Sequence, residues 1–273
     1  MSVAEIEGVE IAYQVDGEGP PLVFMHCWTG NRSFYFEQVA RFCSAYRCIS
    51  FDFPGHGESG EGDQYSIERF GEITEGLMEV LGVEGAVFAG HSLGGMVGLY
   101  LALEHPDLVR GLILLDTSSE LSGFLLQRVI IGVTVPLGRF AVKPVKAAVA
   151  GLVATHPMSS LQAKIISGRE CSRTENGVLV KVLDSLGKFN VADRLGEITQ
   201  PALIIAGKAD ALADVRHSRV MAMGIPDSTL EVIKGAGHMA LFEKPEPVNR
   251  AIQDFLNRVY PVTWSSTLSG VAG

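Results

Sequence analysis

With 273 residues and a hydrophobic fraction of 47%, the chain has enough material for one large α/β domain around a sizeable core. Its net charge of -9 excludes nucleic acid as a main partner, because binding phosphates takes a basic face. Residues 1–7 are acidic with no apolar core, so no signal peptide is expected. Cys27, Cys43, Cys48 and Cys171 form no CxxC pair and no metal-ligand spacing, which reads as reduced thiols in a cytoplasmic protein with no metal.

Residues 9–15 alternate enough for a strand, and the glycines and prolines of 16–21 turn the chain out of it. Residues 22–26 form a continuous apolar run of the kind buried on both faces of a parallel sheet. Cys27-Trp28-Thr29-Gly30-Asn31 and a helix over 33–44 follow. A strand over 48–52 opens into Phe53-Pro54-Gly55-His56-Gly57-Glu58-Ser59. The next helix has Ser66 as N-cap, ends near Leu81, and has Gly82 just past its end.

The apolar run 86–89 stops at Gly90, and an almost wholly apolar helix carrying Met96, Val97, Leu99 and Leu101 runs to Pro106. Between strand and helix stands Gly-x-Ser-x-Gly, with Ser92 at the tip of the turn. The turn is tight enough to force Ser92 into a sparsely populated backbone conformation. A Cβ at Gly90 or Gly94 would collide with the neighbouring strand or helix. The serine hydroxyl then stands clear of the sheet, and the Leu93 amide and the positive helix end favour a developing oxyanion.

A strand over 112–116 continues an alternation that implies right-handed βαβ units and a doubly wound, mostly parallel β-sheet, an α/β fold. Ligands in such sheets bind outside the carboxyl ends of the strands, where His26, Asp52, Ser92 and Asp116 all fall. The rhythm breaks after Thr117 and resumes with a strand over 202–207, a helix over 213–223, a strand over 230–233 and a helix over 245–260. The expected organisation is a core of 1–118 and 194–260, an inserted helical cap of 119–193, and a tail of 261–273 with little periodicity.

Taken jointly and in order, five pieces resemble the α/β-hydrolase superfamily over nearly the whole chain. They are His26-Cys27-Trp28-Thr29-Gly30, residues 52–59, Gly90-His91-Ser92-Leu93-Gly94-Gly95, Gly207-Lys208-Ala209-Asp210 and Gly235-Ala236-Gly237-His238. The resemblance implies Ser92 as nucleophile, His238 as general base and Asp210, at the family position, as the acid that orients it. Asp116 stands where some members carry that acid, and Asp214 reads as a helix-start residue. The implied oxyanion hole combines the backbone N–H groups of Leu93 and Trp28, and Cys27 departs from the family pattern by replacing a glycine. Cys27 itself reads as a small packed side chain, His91 as pointing elsewhere on the elbow, and His56 as bracing its loop. No cofactor is implied.

A serine at the elbow excludes the dehalogenase and epoxide-hydrolase chemistry of aspartate-bearing relatives and leaves acyl transfer. The expected activity is hydrolysis of a small, moderately hydrophobic carboxylic ester, with an enol-lactonase-like or meta-cleavage C–C hydrolase as alternatives. A ligand-binding module on the same fold is the non-enzymatic reading. From Glu120 to Arg173, seven Lys or Arg stand against two Glu, so this segment carries +5 and the remainder -14 of the total of -9. Arg128, Pro136, Arg139, Lys143 and Lys146 interrupt its apolar runs, so it does not span a membrane. Those runs either pack the cap onto the core or form an acyl pocket under a basic lid, suited to a lipophilic or anionic ester or to transient membrane contact.

Overall fold

The computed structural model describes residues 1–121, 155–170 and 176–261. Eight strands, β1 (Ser2–Ile6), β2 (Val9–Asp16), β3 (Pro21–Met25), β4 (Arg47–Phe51), β5 (Ala86–His91), β6 (Val109–Leu115), β7 (Ala202–Gly207) and β8 (Ser228–Ile233), form one sheet. Their order is β1-β2-β4-β3-β5-β6-β7-β8. From β4 to β8 every neighbouring pair runs parallel. β5 and β7 are buried at every position, which is why they read as apolar runs rather than as alternating strands.

The sequence reading has no strand over 2–6. That segment forms β1, an edge strand paired antiparallel with β2 from Ser2 opposite Tyr13 to Ile6 opposite Val9. Only Ile6 of its five residues is buried. An edge strand with so little core contact carries no hydrophobic period to read.

The strand order places the site. After β3 the chain adds β4 on one side, then crosses to add β5 on the other side of β3. The loops leaving β3 and β5 therefore diverge, and a crevice opens at this topological switch point beyond the carboxyl ends of the strands. The loop beginning at His26 and the turn at Ser92 are its two walls.

Eight α-helices complete the described fold: α1 (Phe36–Phe42), α2 (Ile67–Val80), α3 (Leu93–Glu104), α4 (Leu161–Glu170), α5 (Asn176–Leu186), α6 (Val215–Gly224), α7 (Ala240–Glu243) and α8 (Pro245–Val259). Ser66 caps α2 as expected, its side chain accepting the Arg69 N–H. Asp214 caps α6 in the same way through the Arg216 N–H.

The helices cover both faces of the sheet. Phe70 and Leu77 of α2 and Val97 and Leu101 of α3 join one core with Val23 and Met25 of β3. Phe42 of α1 and Val248, Ile252 and Leu256 of α8 join the other with Leu22 and Phe24. Consecutive β3 residues thus point to opposite faces. Each such burial contributes about 1.5–3 kcal/mol.

The apolar runs of the expected cap and its basic residues at 128, 139, 143, 146 and 173 lie outside the described residues, as does the tail beyond 261. Within 155–193 the chain is helical at α4 and α5, and Glu120 meets Asn190 in an isolated antiparallel bridge. The N–H of Ile67 donates to the Ser185 hydroxyl at 3.2 Å, and the Trp28 indole N–H donates to the Leu179 carbonyl at 2.9 Å, so α5 is bonded to α2 and to the loop after β3. Among the described residues, no helix is long and apolar enough to cross a membrane.

Candidate active site

Ser92 has φ 53° and ψ -111°, a left-handed conformation that costs a non-glycine residue about 1–3 kcal/mol. Close packing holds it there. A Cβ on Gly90 would lie 2.2 Å from the Gly94 carbonyl oxygen, and one on Gly94 would lie 2.1 Å from the Met25 carbonyl oxygen. The Ser92 N–H donates to the Leu115 carbonyl at 2.9 Å, and the Thr117 hydroxyl donates to the Ser92 carbonyl at 2.6 Å. Leu93 opens α3, where first-turn N–H groups have no intrahelical acceptor and point toward the helix's positive end.

His238 lies in the loop between β8 and α7, and Asp210 lies just past β7. The structure brings them together: His238 Nδ1 donates to Asp210 Oδ2 at 2.8 Å, with both residues buried. Asp210 Oδ1 accepts the N–H groups of Leu212 at 2.7 Å and Ala213 at 2.8 Å, so both carboxylate oxygens are fixed in direction. A proton on Nδ1 leaves Nε2 with its lone pair, the form a general base requires.

Asp116, the alternative acid, is employed elsewhere. Its Oδ1 accepts the Gly207 N–H at 2.7 Å and its Oδ2 the Ala240 N–H at 3.2 Å, which braces the end of β7 against α7. It also has a positive φ, 44°. Burial raises its pKa, and the neighbouring His91 works against that rise.

His91 does not point away from the site. Its Nε2 donates to the His238 carbonyl at 2.7 Å, with an Asp116 oxygen 3.7 Å away. The residue before the candidate nucleophile thus holds the main chain of the candidate base.

The loop after β3 is fixed by a second set of bonds. His26 Nε2 accepts the Phe53 N–H at 3.0 Å, so the proton sits on Nδ1, which donates to the Cys27 carbonyl at 2.7 Å. Burial, and then the neighbouring His56, push the His26 pKa down to about 4, consistent with this neutral ring. The Gly30 N–H donates to the same Cys27 oxygen at 2.9 Å. A trans peptide directs the next N–H opposite to that oxygen, so these two bonds set the direction of the Trp28 N–H.

His56 braces both loops, with Nδ1 3.0 Å from the Pro54 carbonyl and Nε2 2.8 Å from the Trp28 carbonyl. Burial holds its pKa below the ordinary value against the upward pull of those carbonyls. Asp52 ties the same loops: it accepts the N–H groups of Arg32 at 2.5 Å and Glu58 at 2.8 Å and pairs with the Arg32 guanidinium.

Cys27 is buried and its φ is not positive, so the glycine it replaces is not needed here for backbone freedom. Its Sγ lies 3.8 Å from the Thr29 hydroxyl, in keeping with a small packed side chain. No group of three or more potential metal ligands occurs among the described residues. Sequence reading left His26 and His91 without their supporting roles and did not single out Glu243, whose carboxylate accepts N–H groups beside His238.

A family model described as alpha/beta hydrolase fold matches residues 20–245. A putative carbamate hydrolase from Azorhizobium caulinodans is 24% identical over 267 residues, covering 95% of this chain and 99% of that protein. A 2-hydroxy-6-oxo-6-phenylhexa-2,4-dienoate hydrolase from Comamonas testosteroni is 25% identical over 273 residues, covering 94% of this chain and 95% of that protein. The solved structure of a thermophilic esterase from Thermogutta terrifontis superposes with a TM-score of 0.83 at 24% identity, over 95% of this chain and 99% of that one. These three proteins are named for different substrates, and what the esterase structure shares with this chain is the fold.

Proposed function

The chain belongs to the α/β-hydrolase fold family, and from that premise we propose that it is a serine hydrolase cleaving a small, moderately hydrophobic carboxylic ester through an acyl-enzyme. The observation that carries this reading is the bond from His238 Nδ1 to Asp210 Oδ2, found in a chain whose elbow serine is held in a strained turn. A serine hydroxyl is a weak nucleophile, and an imidazole of fixed tautomer is the base that activates it.

In this mechanism Ser92 Oγ bonds to the carbonyl carbon as its proton passes to His238 Nε2. The Leu93 and Trp28 N–H groups hold the tetrahedral oxyanion. The bond to the alcohol oxygen then breaks, and His238 returns its proton to the leaving alcohol. Water repeats the sequence on the acyl-enzyme, releasing the carboxylic acid and free Ser92. Asp210 stays ionised throughout and stabilises the imidazolium. No step calls for a cofactor. Residues 119–193 form the cap in this reading.

Steady-state hydrolysis of p-nitrophenyl esters from acetate to laurate, by the native chain and by Ser92→Ala, tests the proposal. The expected result is a loss of kcat on the order of 10⁵-fold or more in the variant, with an optimum in acyl length for the native chain. Turnover that survives Ser92→Ala contradicts the assignment. Turnover of a lactone or a vinylogous diketone with none of any ester would move the substrate class and keep the nucleophile.

A further inference from the structure

His238 stands on a loop without secondary structure of its own, between β8 and the four-residue α7. Asp210 orients its ring and His91 holds its carbonyl. The N–H groups on either side of it are held by another residue. Glu243, the last residue of α7, turns its carboxylate back on the loop, and Oε1 accepts the Gly237 N–H at 2.9 Å and the Met239 N–H at 3.3 Å. Its Oε2 faces a distant part of the chain, accepting the His156 N–H at 2.7 Å and the Ser159 hydroxyl just before α4.

Capping a turn locally takes one oxygen. Here the second oxygen is bonded to a residue 87 positions away in sequence, inside the segment read as the cap. Both oxygens face donors, so the carboxylate works as a rivet between two segments. Charge-assisted bonds of this kind are roughly twice as strong as neutral ones, which makes the pair suited to holding a loop in place.

We propose that Glu243 is a positioning residue that fixes the His238 main chain through Oε1 and, through Oε2, makes that placement depend on the seating of residues 156–159. The inference rests on reading His238 as the general base of Ser92. Where residues 156–159 are seated against Glu243 the base is held, and where that contact is lost the base is loosened.

Glu243→Gln isolates this role because it keeps shape while leaving one acceptor oxygen for two sets of donors. Its NH2 group must face either the loop N–H groups or the His156 N–H, so one set is orphaned. Ser159→Ala removes only a contact on the far side.

Two measurements on the full chain test the proposal. The first is solvent exchange of the His238 Nδ1 proton, followed by NMR, which needs no turnover. The second is labelling of Ser92 by a fluorophosphonate, in which Oγ bonds to phosphorus, fluoride leaves and the serine proton passes to His238. In Glu243→Gln, with Tm near native, the exchange is expected to be about 10-fold faster and labelling about 10-fold slower, since displacements of an ångström cost that much or more. Ser159→Ala should shift both in the same direction by less.

Native exchange and native labelling in Glu243→Gln would overturn the proposal. If that variant does not fold, unchanged exchange and labelling in Ser159→Ala overturn it instead. A native chain that never labels, with exchange still accelerated in Glu243→Gln, would sink the nucleophile reading and support the rivet.

Discussion

Ser92 and His238 are held by different physics. Around Ser92 the hold is mainly steric: the carbonyl oxygens of Gly94 and Met25 leave no room for a Cβ on Gly90 or Gly94, and the first seven residues of α3, Leu93 to Leu99, are all buried behind the turn. Around His238 the hold is polar. Asp210 binds the ring, Glu243 the flanking N–H groups, and Asp116 the end of β7 and the start of α7. In the proposed mechanism the nucleophile must occupy one strained conformation and gains from an environment that cannot relax. The proposed base takes up and gives back a proton and needs neighbours that tolerate its change of charge, and carboxylates do this.

The largest effect is expected at Gly94. Gly94→Ala drives a Cβ against the Met25 carbonyl, and unfolding in urea should show a loss of about 3 kcal/mol or more. Native stability in that variant would mean that the elbow is not held by close packing.

The hold of His26 on the loop after β3 titrates. Its folded pKa of about 4 lies below the ordinary 6.5. As pH falls from 6.5 toward 4, the unfolded chain takes up a proton that the folded chain refuses, so stability falls through that window. It is fully present above 6.5 and levels off below 4. The loss from this residue alone is about 3 kcal/mol. Denaturant titrations of native chain and His26→Asn across that range should show a flatter slope in the variant, by about one proton. Parallel slopes would show that His26 is not held neutral.

The same contrast explains what the sequence made legible. Gly90, Ser92 and Gly94 fall within five residues, so the elbow could be read as a motif; the clash that demands Gly90 is with Gly94 itself, whereas the one that demands Gly94 comes from Met25 of β3 and shows only in the fold. The buried strands read clearly from apolar runs, and β1 did not, because its edge position asks for only one buried residue. The supports of His238 join Asp116 to Ala240, His91 to the His238 carbonyl and Glu243 to His156, contacts that span scores to more than a hundred residues. No local pattern encodes such contacts. Asp116 shows the limit well: it sits at the right strand end for the acid, and only the path of the chain after β7 makes it a brace.

In the proposed mechanism Asp210, rather than Asp116, serves His238. The direct measurement is kcat/KM for p-nitrophenyl butyrate, with Tm, in Asp210→Asn and Asp116→Asn side by side. A fall of about 10⁴-fold is expected for Asp210→Asn with Tm near native. For Asp116→Asn a clear loss of Tm is expected and, where the variant is folded, a much smaller kinetic effect. The reverse pattern, with activity lost at Asp116 and kept at Asp210, would contradict this assignment.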